Sequence, residues 1–134
     1  MKTRFLFLAA ALTSAFSFGQ TYLNDYFNGP DLNSANAWVV QSPINNGYEW
    51  GWTEFSGNGY AIMTNYDAGT NYASETWMVS PAVDLTGAVS PILSFTNTKR
   101  FAGDDIEMYI STSYTGDVTT TTWTDITAIA GFDT

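Results

Sequence analysis

The sequence predicts an all-β fold, an antiparallel β-sandwich of about eight strands. From Gln20 onward the chain is rich in Thr, Tyr, Trp, Ser, Asn and Gly, which favour strands and turns over helices. No window of about a dozen residues carries a sustained apolar stripe at helical spacing. Short apolar or alternating runs recur instead, and clusters of turn-forming residues separate them.

Each predicted strand is a short run bounded by turn signals. In chain order the predicted strands are 23–27, 38–41, 48–53, 60–63, 76–80, 91–98, 105–111 and 123–127. The sequence alternates most clearly at 93–97 and 106–110, so that every second side chain shares one face. From this pattern we expect a core that contains Trp77, Val79, Leu93, Phe95, Ile106, Met108, Ile110 and Trp123.

Residues 1–19 are predicted to be a signal peptide. Lys2 and Arg4 form a basic start, an apolar run follows from residue 5, and small residues precede Gln20 at the expected cleavage positions. The stretch is too short for a transmembrane helix. We therefore expect export to the cell surface or the medium and one module at 20–134. An amphipathic N-terminal helix of a cytoplasmic protein is the alternative.

Composition excludes several classes of function. The 134 residues include no His and no Cys, which removes Ser-His-Asp triads, His-ligated zinc, thiol nucleophiles and disulfides. The net charge is −9, and loss of residues 1–19 leaves two basic residues against 13 acids, a net charge of −11. Two basic residues cannot neutralise a nucleic-acid backbone, and an acidic surface repels anionic lipids. We expect neither nucleic-acid binding nor membrane insertion of the mature chain.

Three segments in the second half resemble a known family. They are Trp77-Met-Val-Ser-Pro-Ala-Val-Asp-Leu85, Pro91-Ile-Leu-Ser-Phe95 and Gly103-Asp-Asp-Ile-Glu-Met-Tyr-Ile-Ser-Thr112, with Trp123-Thr-Asp-Ile-Thr127 after them. Their order resembles the choice-of-anchor J and cleaved-adhesin domains, which include gingipain-type haemagglutinin regions. The resemblance spans about 23–128 and implies a jelly-roll sandwich of a secreted or surface protein. Family members continue for further strands, so we expect a sandwich that is incomplete at the C-terminus.

The resemblance also implies a structural calcium ion that links the first strand to a later one. Calcium binds six to eight oxygen ligands, and an acidic, Asn-rich chain offers them. The predicted ligands are Asp25 and Asn28, with Asp104 or Asp105 as partners. No EF-hand spacing is present. A solvated turn at Asp104-Asp105 is the favoured alternative, because Gly103-Asp104 is typical of turns.

Aromatic and basic residues supply the predicted ligand-binding site. Tyr48, Trp50 and Trp52 alternate, so an exposed strip would stack on sugar rings or form an adhesive hot spot. A strand that faces the core shows the same alternation and is the favoured alternative. Lys99 and Arg100 are predicted to form a clamp that binds carboxylates. The alternative is a surface pair whose charge balances that of nearby Asp104 and Asp105. A second polar-aromatic surface is predicted from Tyr60, Tyr66 and Tyr72, with packing within loops as the alternative.

Together these features predict a non-catalytic adhesion or binding module for an extracellular glycan or protein surface. A hydrolase that uses only carboxylates needs two facing acids, and the spacing indicates no such pair. The alternative function is an accessory or spacer domain of a larger secreted peptidase, nuclease or glycosidase. The oligomeric state does not follow from the sequence.

Overall fold

A computed structural model of the chain describes residues 20–34 and 36–132. The predicted signal peptide therefore lies outside the described residues. The described chain is nearly all-β, which confirms the predicted class. Its strands are β1 (Val39–Ile44), β2 (Gly51–Phe55), β3 (Asn58–Ile62), β4 (Tyr66–Asp67), β5 (Thr70–Asn71), β6 (Glu75–Val79), β7 (Tyr109–Ile110) and β8 (Thr124–Asp125), and one short helix, α1 (Thr127–Ala130), follows. Over the described residues, no helix is long and apolar enough to cross a membrane.

The strands form four antiparallel pairs. β1 pairs with β6, β2 with β3, β4 with β5, and β7 with β8. In the β1–β6 ladder Val39 lies opposite Val79 and Gln41 opposite Trp77, and the register shifts between Gln41 and Ile44. Val, Trp and Met at these positions are typical of strands that are covered on one side. The hairpins β2–β3 and β4–β5 lie between β1 and β6 in the chain.

Both hairpins close through two-residue turns in the left-handed region. Ser56 and Gly57 connect β2 to β3 with φ of 53° and 79°, and Ala68 and Gly69 connect β4 to β5 with φ of 46° and 92°. Two successive positive φ angles are typical of the type I′ turn, whose twist matches that of the flanking strands. Glycine adopts the second position at no steric cost. The turn clusters in the sequence therefore fix where each hairpin reverses.

A ladder of aromatic rings joins the β1–β6 pair to the β7–β8 region. Trp77 of β6 lies 5.1 Å from Tyr109 of β7 and 5.3 Å from Trp123, and Trp123 lies 5.9 Å from Tyr114. Both indole N–H groups are satisfied: Trp77 donates to Glu75 and Trp123 to the Val118 carbonyl, each at 2.9 Å. Stacked and tilted ring pairs at these separations stabilise a fold beyond their buried area.

The most deeply buried side chains lie in loops. Leu32, Val118 and Thr121 are buried, and the Gln41 side chain fixes the loop around Val118. Its amide oxygen accepts from the Val118 N–H at 2.8 Å, and its amide nitrogen donates to the Gly116 carbonyl at 2.7 Å. The side chain of Gln41 thus provides hydrogen-bond partners for backbone groups of a loop that belongs to no strand.

The N-terminal segment is held by side chains and has no ladder. Trp38 donates its indole N–H to the Asp25 carboxylate at 2.7 Å, and Trp52 donates to the Phe27 carbonyl at 2.5 Å. The rings of Phe27 and Trp38 lie 5.6 Å apart. The predicted strand 23–27 is therefore wrong, because its backbone finds no neighbouring strand.

Two further sequence predictions need correction. Residues 91–98 form no strand, and the predicted strand 105–111 is reduced to β7, since β8 offers a partner only two residues long. Leu93, Phe95, Ile106 and Ile110, all predicted to lie in the core, are exposed. The other predicted core residues, Trp77, Val79, Met108 and Trp123, are half-buried.

Candidate functional site

A stacked pair of tyrosines at the β4–β5 hairpin forms the candidate site. Tyr48 and Tyr72 stack with ring centroids 4.9 Å apart and an interplanar angle of 23°. The Tyr48 hydroxyl lies 3.4 Å from a carboxylate oxygen of exposed Asp67. Tyr72 is 39% exposed, and Tyr66 of β4 is 58% exposed. The hairpin therefore presents two aromatic rings and a carboxylate to solvent.

Backbone and side-chain hydrogen bonds hold this hairpin in place. The Tyr72 N–H donates to the Asn65 carbonyl at 2.8 Å, and the Asn65 side chain donates back to the Tyr72 carbonyl at 2.8 Å. Within the hairpin, Tyr66 pairs with Asn71 and Asp67 pairs with Thr70. The exchange between Asn65 and Tyr72 continues the ladder by one position beyond β5. It fixes the backbone from which the Tyr72 ring projects.

The loop that carries Tyr48 is tied to the β1–β6 pair. Glu49 accepts from Ser42 at 3.2 Å and from Asn45 at 3.4 Å. The Thr76 hydroxyl accepts from Ser42 at 3.0 Å and from the Trp50 N–H at 3.3 Å. These contacts hold the loop in the position from which the Tyr48 ring stacks on Tyr72.

The electrostatics of the site are acidic. Partial desolvation, followed by the charge of the Asp67 carboxylate, raises the pKa of Tyr48 above its usual value. The Tyr48 hydroxyl therefore stays protonated at neutral pH and serves as a donor. Asp67 and the nearby Tyr48 and Tyr72 hydroxyls give the site both hydrogen-bond acceptors and donors beside its apolar rings.

The predicted strip of Tyr48, Trp50 and Trp52 does not form one strand face. β2 begins at Gly51, so only Trp52 lies in a strand, and all three side chains are half-buried. Trp52 is directed to the N-terminal segment through its bond to Phe27. Tyr48 instead pairs with Tyr72, so the structure joins one residue of the predicted strip to one of the predicted second surface.

The predicted cationic pair separates into two different contacts. Lys99 donates to an Asp105 carboxylate oxygen at 2.5 Å and to the Gly103 carbonyl at 2.8 Å. This contact is the surface pairing that the sequence offered as the alternative to a clamp. The Arg100 guanidinium lies 5.3 Å from the centre of the Phe101 ring.

The predicted calcium ligands already have contacts with the chain. Asp25 accepts from the Phe27 N–H at 2.7 Å as well as from Trp38, and Asn28 accepts from the Gly59 N–H at 3.4 Å. Asp105 is paired with Lys99, and Asp104 is exposed. Within 20–34 and 36–132, no three acidic residues form a group that would hold a metal ion. Calcium binding remains a prediction, and calorimetric titration of the protein with Ca²⁺ tests it.

Two shallow grooves open elsewhere on the described surface. One, of about 380 Å³, lies between Gln41 to Pro43 and the loop Gly116 to Thr119. The other, of about 240 Å³, lies between Asp105 and Phe132. Each groove is lined by a single carboxylate, Asp117 in the first and Asp105 in the second. Neither groove therefore presents two facing acids.

Sequence reasoning did not pair Tyr48 with Tyr72 and did not select Asp67. The signals were present, because Tyr66, Asp67 and Tyr72 surround a turn sequence. What the sequence does not specify is that the hairpin folds back towards the loop before β2. Comparison of the chain with protein-family models, curated proteins and solved structures gave no significant match. The family resemblance and the jelly-roll strand order therefore stay predictions.

Proposed function

We propose that this protein is an exported, non-catalytic binding module that attaches to a glycan or protein surface through the Tyr48–Tyr72 site. The observation that carries the proposal is the stacked tyrosine pair, fixed by Asn65 and open to solvent beside Asp67. Tyrosine supplies a large and rigid contact area at low conformational cost, so it is enriched where proteins bind ligands.

The chemistry of the site suits a carbohydrate best. An aromatic face packs against the apolar side of a sugar ring, and the Asp67 carboxylate accepts strong hydrogen bonds from hydroxyl groups. Tyr66 is also exposed, but alternation along β4 places it on the face of the hairpin opposite Asp67, so it is not counted in the site. Each of the two shallow grooves contains one acid, which gives no support to acid–base hydrolysis.

A glycan array, followed by calorimetric titration with the best ligand, tests the proposal. Tyr72→Ala removes the solvent-facing ring, and we expect it to weaken binding by about tenfold or more in a protein that circular dichroism shows to be still folded. Tyr72→Phe keeps the ring and should retain most of the affinity. Tyr26→Ala, at another exposed tyrosine, is the matched control.

The outcomes separate the proposed function from its alternative. If wild type and Tyr72→Ala bind the ligand equally well, the ligand does not bind at the Tyr48–Tyr72 site. Failure of the folded protein to bind any glycan or extracellular protein would favour an accessory or spacer domain of a larger secreted hydrolase. Export is tested separately, by N-terminal sequencing of the secreted product, which should begin at Gln20.

A further inference from the structure

Asp67 shares one face of the β4–β5 hairpin with the tyrosine pair. It lies opposite Thr70 in the ladder, and the hydrogen bonds between Asn65 and Tyr72 continue that ladder by one position. Residues that lie opposite each other, or two positions apart on one strand, point to the same side. Asp67, Thr70 and Tyr72 therefore share a face. The Tyr48 ring stacks on Tyr72 and its hydroxyl contacts the Asp67 carboxylate, so Tyr48 lies on this face too.

No basic side chain forms an ion pair with Asp67 in the part of the chain that the structure describes. That part contains two basic residues. Lys99 forms its ion pair with Asp105, and the Arg100 guanidinium lies over an aromatic ring outside the site. The contact of the exposed Asp67 carboxylate is the Tyr48 hydroxyl, a neutral group at 3.4 Å. The negative charge beside the tyrosine pair is therefore open to a ligand.

The surroundings of the site carry charge of the same sign. Glu49 follows Tyr48 in the chain, is exposed, and accepts hydrogen bonds only from the neutral side chains of Ser42 and Asn45. The whole chain has a net charge of −9. A field of this sign attracts cationic ligands and repels anionic ones. It therefore disfavours acidic sugars at this site.

We propose that the Tyr48–Tyr72 site binds an amino sugar, with the protonated amine on Asp67 and the sugar ring against Tyr72. This inference rests on the proposed function and specifies the class of glycan. A carboxylate binds an ammonium group through a charge-assisted hydrogen bond, and the face of a tyrosine ring attracts the same cation. The exposed Thr70 hydroxyl lies on the same face and can bond to a sugar hydroxyl.

A lysine side chain carries the same ammonium group but matches the site less well. It could bind Asp67, but it has no hydroxyl groups for Thr70 and no ring that would pack flat on Tyr72. An amino sugar provides a partner for the carboxylate, the aromatic ring and the hydroxyl together. The site therefore favours the sugar over a basic peptide.

Calorimetric titration with two short oligosaccharides of equal length tests the proposal. One is an oligomer of glucosamine, and the other is its N-acetylated form, which lacks the positive charge. At a mildly acidic pH, at which the sugar amine is protonated, the wild type should bind the glucosamine oligomer about fivefold more tightly. Added salt should reduce this preference, because it screens exposed charges.

Substitution of Asp67 locates the source of the preference. Asp67→Asn removes the charge at nearly constant size, and it should bind the two oligomers with similar affinity. Asp67→Glu keeps the charge and should keep the preference. Glu54→Gln is the matched control, because it removes an exposed carboxylate of the β2–β3 hairpin and should leave the preference unchanged. Circular dichroism should show that all three variants are folded, since both positions are exposed.

Four results would overturn the proposal. They are equal binding of the two oligomers by the wild type, a preference that persists in Asp67→Asn, an equal loss of preference in Asp67→Asn and Glu54→Gln, and tighter binding of an oligolysine peptide than of the glucosamine oligomer. The third result would indicate a general attraction to the acidic surface.

The effect of Tyr72→Ala separates this proposal from the proposed function. If glycan binding depends on Tyr72 but shows no preference for the amine, the proposed function stands and the amino-sugar inference fails. If no glycan binds, or if binding does not depend on Tyr72, the proposed function fails and the inference fails with it.

Discussion

Trp77 stacks on Trp123 with ring centroids 5.3 Å apart and an interplanar angle of 27°. The two residues belong to different strand pairs, since Trp77 lies in β6 and Trp123 immediately precedes β8. Tyr109 of β7 contacts Trp77 as well. The tryptophan pair is therefore a central link between the β1–β6 and β7–β8 pairs.

Replacing Trp123 with alanine should destabilise the fold by about 2 kcal/mol. This value is below the range of about 3–5 kcal/mol for a fully buried tryptophan, because both rings are half-buried. The replacement removes two ring contacts and the hydrogen bond to Val118. Urea denaturation measures the loss, and the circular-dichroism signal of the coupled indoles should disappear with it. A Tyr26→Ala protein should keep both the wild-type stability and the circular-dichroism signal. If the two substitutions have equal effects, the tryptophan pair does not link the two strand pairs.

The sequence was sufficient to predict the all-β class and several elements. Strand propensity and turn residues located β1, β3 and β6 to within a few residues, and the Ser56 and Ala68 turns lie within predicted turn clusters. These features are local, because alternation and turn chemistry act over a few residues.

Which strands pair and which side chains are buried could not be predicted from the sequence. The segment 91–98 has the composition of a strand, but a strand also needs a neighbouring backbone, and the described chain provides none there. Leu32 and Val118 are buried in loops, where no periodic pattern marks them. The Tyr48–Tyr72 contact depends on how a loop and a hairpin meet, which their separate sequences do not specify.

Asp25 should make the protein sensitive to acid. Partial burial raises the pKa of Asp25, but hydrogen bonds from Asn36, Phe27 and Trp38 together outweigh it, so the pKa lies below the usual value. The folded state therefore binds fewer protons than the unfolded chain. This stabilisation is complete above about pH 4 and is lost as the pH falls through the folded pKa.

Asp25→Asn tests this dependence. At neutral pH it should destabilise the fold by about 1–2 kcal/mol, because it weakens the hydrogen bonds to a charged acceptor. Below about pH 4 the gap between the two proteins should narrow. Urea denaturation across this pH range measures both effects. Three other carboxyls, Asp84, Asp117 and Asp125, also have lowered pKa values, so the mutant keeps part of the acid sensitivity. A constant gap at all pH values would show that Asp25 does not contribute through its charge.

Gly59 should not tolerate a side chain. A Cβ at this position would lie 1.7 Å from the Phe27 carbonyl oxygen and 2.8 Å from the Trp52 indole nitrogen, the two atoms that form a hydrogen bond. Gly59→Ala should therefore cost about 1–3 kcal/mol and alter the fluorescence of Trp52. Gly51→Ala is the matched control, because a Cβ there meets nothing within 4 Å. If the two variants are equally stable, the N-terminal segment does not pack on the hairpin as described.

Ala68→Asn should stabilise the hairpin that presents Tyr66 and Tyr72. Ala68 adopts a φ of 46°, which costs an alanine about 1–2 kcal/mol, and asparagine before glycine is favoured at this position of a type I′ turn. We expect a gain of about 0.5–1 kcal/mol in thermal or urea denaturation. Ala82→Asn, at an exposed position outside the left-handed region, should give no gain. Because the turn lies beside Asp67, the same variant should bind the ligand of the Tyr48–Tyr72 site at least as tightly as the wild type. Stabilisation by Ala82→Asn to the same extent would show that the gain does not arise from the turn.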